Sequence, residues 1–228
     1  MNWLTVKDLK SITTTGNLFL VYGRSHPGNS EWLTNYLAES EKHKYKKYRS
    51  TTPFECRAVL RLLLSRFLNA PPETIRIQET KQGKPYIEHK GLFFNVSHCE
   101  SSYLVAISKV GRIGCDMERL SGNEDIVSLA DYAFSPDEKH ACFDTGDIAV
   151  NFTKIWTLKE ALLKASGTGL MNNLSHLNVF EKLQQYRLNF NTFSCPDNET
   201  ASLVYRELPG FTVEPRYFNL DGVLKNEI

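Results

Sequence analysis

Asp116 and Glu118 stand two residues apart in a run where Ile113, Cys115 and Met117 alternate with Arg112, Gly114, Asp116 and Glu118. A period of two is the pattern of a half-buried strand, so both carboxylates share its polar face. A third carboxylate, Glu160, falls in the helical run Trp156-Thr157-Leu158-Lys159-Glu160-Ala161-Leu162-Leu163-Lys164. Three carboxylates from a strand and a helix supply the hard oxygen ligands that Mg²⁺ takes, and Mg²⁺ commonly completes its shell with water and substrate phosphates. The chemistry on offer is metal-assisted work on a phosphate-bearing substrate. Taken alone, an Asp-x-Glu pair also suits a solvent-exposed strand end. Glu160 and Lys164, four apart on one helix face, also suit a surface ion pair. Trp156 suits the core.

Two further segments carry weaker signals. Phe94-Asn95-Val96-Ser97-His98-Cys99 closes an apolar strand. Ser97 and His98 point to opposite faces and form no nucleophile–base dyad, but at a strand end both can reach phosphate oxygens. Gly83-Lys84-Pro85-Tyr86 reads first as a hairpin turn, in which glycine admits close backbone approach, proline fixes the bend and lysine offers a point charge. The basic run from Lys42 to Arg49 suits either a solvated face or a phosphate-rich ligand.

The elements that must position these residues follow from periodicity and punctuation. Short strands are expected over residues 18–22, 75–78, 85–88, 92–96, 103–108 and 112–118, and a helix over 53–69 stopped by Pro71 and Pro72. Ser135-Pro136-Asp137-Glu138 is a capping box that opens a helix running to about Phe143. The next helix, 148–166, stops at Gly167-Thr168-Gly169. Strand-like segments at 174–180, 186–193, 202–208 and 212–218 give the second half an antiparallel character. This order predicts an α+β fold of two roughly similar halves, 1–112 and 113–228, and a site between them would draw on both.

Composition bounds the function. With 228 residues, 41% hydrophobic and 23% charged, the chain is an ordinary globular one with room for a sizeable core. A net charge of +1 provides no global field for nucleic acid. Five cysteines, an odd number without a C-x-x-C pair, argue against a disulfide framework or a zinc site and for a reducing compartment. Residues 1–10 contain no signal-like apolar region and no apolar run approaches the ~20 residues of a membrane span, so a cytoplasmic protein is expected.

In this order, Gly83-Lys84-Pro85, Phe94-Asn95-Val96-Ser97-His98, Gly114-Cys115-Asp116-Met117-Glu118 and the Trp156–Lys164 helix resemble the motifs of the surfactin-synthetase-type 4'-phosphopantetheinyl transferases. The resemblance runs over about residues 41–169. It implies a pseudo-twofold monomer of two similar α+β halves with the active site in the cleft between them. The implied reaction moves the phosphopantetheine arm of coenzyme A onto a serine of an apo acyl, peptidyl or aryl carrier protein and releases adenosine 3',5'-bisphosphate.

By the same resemblance Asp116, Glu118 and Glu160 hold Mg²⁺, while Gly83, Lys84 and Pro85 line the adenine and ribose site. Lys44 and His98 meet the 3'-phosphate, and Ser97, His98 and Lys164 lie on the pyrophosphate side. Glu160 is the implied general base and Lys164 the stabiliser of the leaving phosphate. Lys47, Tyr48, Arg57 and Arg61 fall at places comparable to the family's basic segment and following helix, and Cys99 is expected to be a buried, inert thiol. The carrier is expected over residues 126–143, where Tyr132 and Phe134 either grip it or belong to the core. Two other classes compete: a non-catalytic coenzyme A or carrier binder, and a metal-dependent phosphate-ester hydrolase.

Overall fold

The computed structural model describes residues 3–5, 16–26, 33–45, 50–119, 125–144, 146–169, 173–206 and 213–220. Its strands are β1 (Leu4–Thr5), β2 (Leu18–Arg24), β3 (Gln78–Glu79), β4 (Pro85–Tyr86), β5 (Phe93–Cys99), β6 (Ser102–Ser108), β7 (Ile113–Glu118), β8 (Asn189–Ser194), β9 (Thr200–Tyr205) and β10 (Arg216–Asn219). Its helices are α1 (Glu39–Tyr45), α2 (Thr52–Leu68), α3 (Ile126–Ala133), α4 (Pro136–Phe143), α5 (Ile148–Ser166) and α6 (Val179–Tyr186).

The strands form two main sheets, ordered β1-β10-β2-β6-β5 and β7-β9-β8, with β3 and β4 as a separate hairpin. One motif occurs twice: a strand, a helix and an antiparallel hairpin, given by β2, α2, β5–β6 and again by β7, α5, β8–β9. In both copies the third strand lies between the other two. The registers match: Leu18 and Phe93 both oppose Ser108, as Ile113 and Asn189 both oppose Tyr205. The expected pair of similar α+β halves is therefore present. This equivalence also sets Asp116 against Val21 and Glu118 against Gly23, so the acidic face occurs in one copy alone.

The sheets pack against each other through Leu20, Tyr22, Leu104 and Ala106 on one side and Cys115, Met117, Ala201 and Leu203 on the other. Val59, Leu60, Leu63 and Leu64 of α2 cover the outer face of the first sheet against Phe19, Val21 and Val105. Leu158, Ala161 and Leu162 of α5 pack with Val204 of the second. Because both faces of β2 are covered, its apolar residues run continuously instead of alternating.

The capping box at Ser135 and Glu138 forms as the sequence predicts, and α5 ends at Gly167 in the left-handed region. Two expectations need correction, and one helix had no counterpart among them. Residues 174–180 are not a strand: a 3₁₀ turn, Leu174–His176, leads to Asn178, whose side chain accepts from Phe180 N and Glu181 N and starts α6. Here the Asn cap outweighs a weak alternation. Residues 126–133, which had no assigned element, form α3, capped by Asp125. The last described strand, Arg216–Asn219, lies parallel to β2 in the first sheet and not antiparallel in the second, so a strand that follows the second motif joins the sheet of the first. Periodicity identifies a strand without naming its partner.

The glycine of the Gly-x-Asp-x-Glu segment has a packing role. A Cβ on Gly114 would fall 2.0 Å from Ala161 O and 2.4 Å from Ala165 N, both in the backbone of α5. Helix and strand touch here without a side chain between them, which seats α5 directly over β7. Gly114→Ala is expected to lower stability by about 3 kcal/mol in urea denaturation, the upper end of what overpacking usually costs.

Candidate active site

Three elements converge over the polar face of β7. That face presents Asp116 and Glu118 to α5, which returns Trp156, Glu160 and Lys164 at successive turns, and β5 adds Ser97. Asn95 holds β5 to β7, its buried Oδ1 accepting from Cys115 N at 2.8 Å. Lys164 Nζ donates to Asp116 Oδ1 at 2.6 Å and to Ser97 Oγ at 3.2 Å, and Ser97 Oγ donates to the same Oδ1 at 2.9 Å. Asp116 is only 4% exposed, and its second oxygen, Oδ2, is buried without a hydrogen-bond partner.

The electrostatics follow from three acids sharing one cavity. Burial and then Asp116 push the Glu118 carboxyl up to about 7, against the lowering pull of Lys164 and of a hydrogen bond from Trp156. Glu160 is raised by the same two causes, burial first. Burial opposes charge on Lys164, but Asp116 outweighs it and the ammonium is held above its ordinary pKa. Burial and Lys164 lower His98.

These side chains line a cavity of about 620 Å³. A second cavity of about 280 Å³ shares Val96, Glu160 and Lys164 with it and is bounded by Gly83, Lys84 and Pro85 of the β3–β4 hairpin. Gly83 takes a φ of 79°, which only glycine adopts without strain, and so turns this hairpin. Lys84 Nζ donates to the carbonyls of Ile113 and Lys164, and burial lowers its pKa to about 8. Lys84 thus ties the hairpin to both β7 and α5.

Two family profiles match the chain: residues 24–110 fit the 4'-phosphopantetheinyl transferase N-terminal family, and residues 112–208 the 4'-phosphopantetheinyl transferase superfamily. The chain belongs to the 4'-phosphopantetheinyl transferase superfamily. A putative 4'-phosphopantetheinyl transferase of Synechocystis sp., slr0495, is 32% identical over 136 residues, covering 58% of this chain and 55% of the relative. The 4'-phosphopantetheinyl transferase HetI of Nostoc sp. is 34% identical over 120 residues, 50% of this chain and 51% of the relative. The 4'-phosphopantetheinyl transferase gsp of Aneurinibacillus migulanus is 26% identical over 152 residues, 65% and 55%. The chain spans about half the length of these curated relatives. The two profile matches meet between β6 and β7, where the first strand–helix–hairpin motif ends and the second begins.

In this superfamily member most of the expected site residues come together. Asp116, Glu118, Glu160, Lys164, Ser97 and His98 share the larger cavity, and Gly83, Lys84 and Pro85 line the smaller. Lys44 does not join them: it is exposed on α1, 3.4 Å from Glu79 Oε1 of the hairpin. Lys47 and Tyr48 lie outside the described residues. Arg57 and Arg61 turn to Glu41, at 3.6 and 2.6 Å, and Arg61 is buried on the carbonyls of Pro72 and Ile75, a role in holding the chain together. Cys99 is buried, as expected, and burial pushes its thiol up to about 11.

Trp156, expected in the core, is partly buried there, stacked on Phe152, and its other side lines the larger cavity. The signal was available, since Trp156, Glu160 and Lys164 at i, i+4 and i+8 form one helical stripe. Tyr132 and Phe134 part company. Phe134 is core at 1% exposure, packed on Phe152, and Tyr132 is 62% exposed at the cavity rim.

The Glu118 shift has a direct consequence. A carboxyl whose folded pKa is about 7, against an ordinary 4.5, binds its proton more tightly folded than unfolded. Its stabilising contribution is complete below about pH 4.5 and is lost as pH rises through about 7. Thermal melts of the ligand-free protein are expected to show that loss in wild type and a flatter profile over the same window in Glu118→Gln.

Proposed function

We propose that the protein transfers the 4'-phosphopantetheine arm of coenzyme A to a serine of an apo acyl, peptidyl or aryl carrier domain, releasing adenosine 3',5'-bisphosphate. The observation that carries this reading is the meeting of Asp116, Glu118, Glu160, Lys164 and Ser97 in one cavity of a superfamily member. The carrier serine oxygen attacks the β-phosphorus of coenzyme A, a new P–O bond forms, and the bond to the bisphosphate breaks. The hydroxyl proton goes to Glu160, whose burial and acidic neighbour raise its proton affinity. Lys164 places its charge against the departing phosphate, one helical turn from Glu160. Lys84, Gly83 and Pro85 bound the cavity beside it, where an adenine ring fits the reading. His98 meets the phosphates from β5, and Lys44 is the proposed 3'-phosphate contact from the first half.

Among the described residues no three His, Cys, Asp or Glu side chains are already gathered as a metal cluster. Their chemistry nevertheless fits a hard cation: an unpartnered buried oxygen on Asp116, and beside it two carboxyls raised by burial and then by the Asp116 charge. Asp116, Glu118 and Glu160 would hold Mg²⁺. Bound there, it neutralises charge on the bridging phosphates. All five cysteines are buried and unpaired, which supports a reducing setting, and the reading is of a cytoplasmic monomer. No helix among the described residues is long and apolar enough to cross a membrane.

Product analysis tests the reaction class. Incubation with coenzyme A, Mg²⁺ and an apo carrier is expected to yield adenosine 3',5'-bisphosphate in equal amount to modified carrier. Free phosphopantetheine without carrier modification would make the protein a hydrolase instead, and no turnover with intact coenzyme A binding would make it a binder.

A further inference from the structure

Three carboxylates, Asp116, Glu118 and Glu160, share a cavity with one ammonium, that of Lys164. The ammonium sits on the most buried of the three: Asp116 Oδ1 accepts from both Lys164 Nζ and Ser97 Oγ, at 2.6 and 2.9 Å. Lys164 is the one cation within ion-pair distance of these three acids among the described residues. The cavity is thus short of positive charge, while its deepest carboxylate already has a cation.

We propose that Lys164 is a resident counter-cation, which holds Asp116 in place until a divalent ion takes over that carboxylate and displaces the ammonium. This rests on the metal reading given above. An ion drawn to Asp116 meets an ammonium already hydrogen-bonded to it, and like charges in a partly desolvated cavity repel. The lysine stem is flexible enough to move the ammonium off without moving α5. Once released, the ammonium is free to pair with a phosphate. Metal and phosphate ligand therefore favour one another, and by linkage the effect is reciprocal. The lysine that pairs with leaving-group charge during reaction is thereby kept protonated and in place beforehand.

The test uses Mn²⁺ alone, titrated calorimetrically into ligand-free protein. Lys164→Met is expected to bind Mn²⁺ roughly tenfold more tightly than wild type, within the usual range of coupling between sites. A second measurement needs no variant. Acylation of Lys164 by an amine reagent, read by peptide mass spectrometry on wild type, is expected to rise several-fold when Mg²⁺ is added. Equal or weaker Mn²⁺ binding by Lys164→Met, or Lys164 labelling unmoved by a metal that demonstrably binds, overturns the proposal. If neither wild type nor variant binds Mn²⁺, the metal reading itself fails, and the proposal with it.

Discussion

Glu160→Gln is expected to slow carrier loading by about 10²–10⁴-fold, the usual worth of a positioned general base, while the protein stays folded. Glu160 lines both cavities and has no ion-pair partner among the described residues, so its carboxylate holds no part of the structure together. Glutamine keeps the shape and removes the charge. Because Asp116 and burial already work against that charge, the variant should melt at or above the wild-type temperature. Rapid-quench loading assays followed by intact mass separate the roles. A loss confined to the chemical step marks the base, whereas a loss that excess Mg²⁺ partly restores marks the ligand. Loading at the wild-type rate would remove Glu160 from the mechanism.

The neighbouring lysine should give an equally large effect on stability. Lys159 Nζ lies 2.5 Å from Glu138 Oε2, with the two side chains 1% and 0% exposed. Glu138 also accepts from Ser135 N and Val179 N, both at 2.7 Å. One carboxylate therefore joins the start of α4, the start of α6 and the middle of α5. Removing the lysine leaves a buried charge without its partner, and such losses cost about 3–5 kcal/mol. Lys159→Met should show this in urea denaturation. Lys139→Met, which breaks an exposed pair with Asp131, should cost less than about 1 kcal/mol. Adjacent residues on α5 thus face opposite ways: Glu160 into the cavity, Lys159 into the core that holds the helix.

Much of the site was legible because it is written in local periodicity. The alternation through β7 put Asp116 and Glu118 on one face, and the four-residue spacing on α5 put Glu160 and Lys164 on another. The capping box at Ser135 was equally local. What escaped depended on contacts between distant segments. Nothing in residues 212–218 says that Arg216 will pair with Phe19. Nothing in the spacing on α5 says that Lys159 will be buried against Glu138 of α4. Asn178 was an unread cap. Tyr132 and Phe134 are near neighbours in sequence, but only packing against Phe152 sends one inward and leaves the other exposed. Gly114 belonged to a motif, and its reason appeared only with the backbone of α5 beside it.

Proposed transfer to a carrier depends on a metal held by the acidic cavity. Its most direct test is the intact mass of an apo carrier incubated with the protein and coenzyme A, first with Mg²⁺, then with a chelator, then with Mg²⁺ restored. A mass gain of one phosphopantetheine group is expected that stops with the chelator and returns with the metal. Full modification in the presence of the chelator would contradict it.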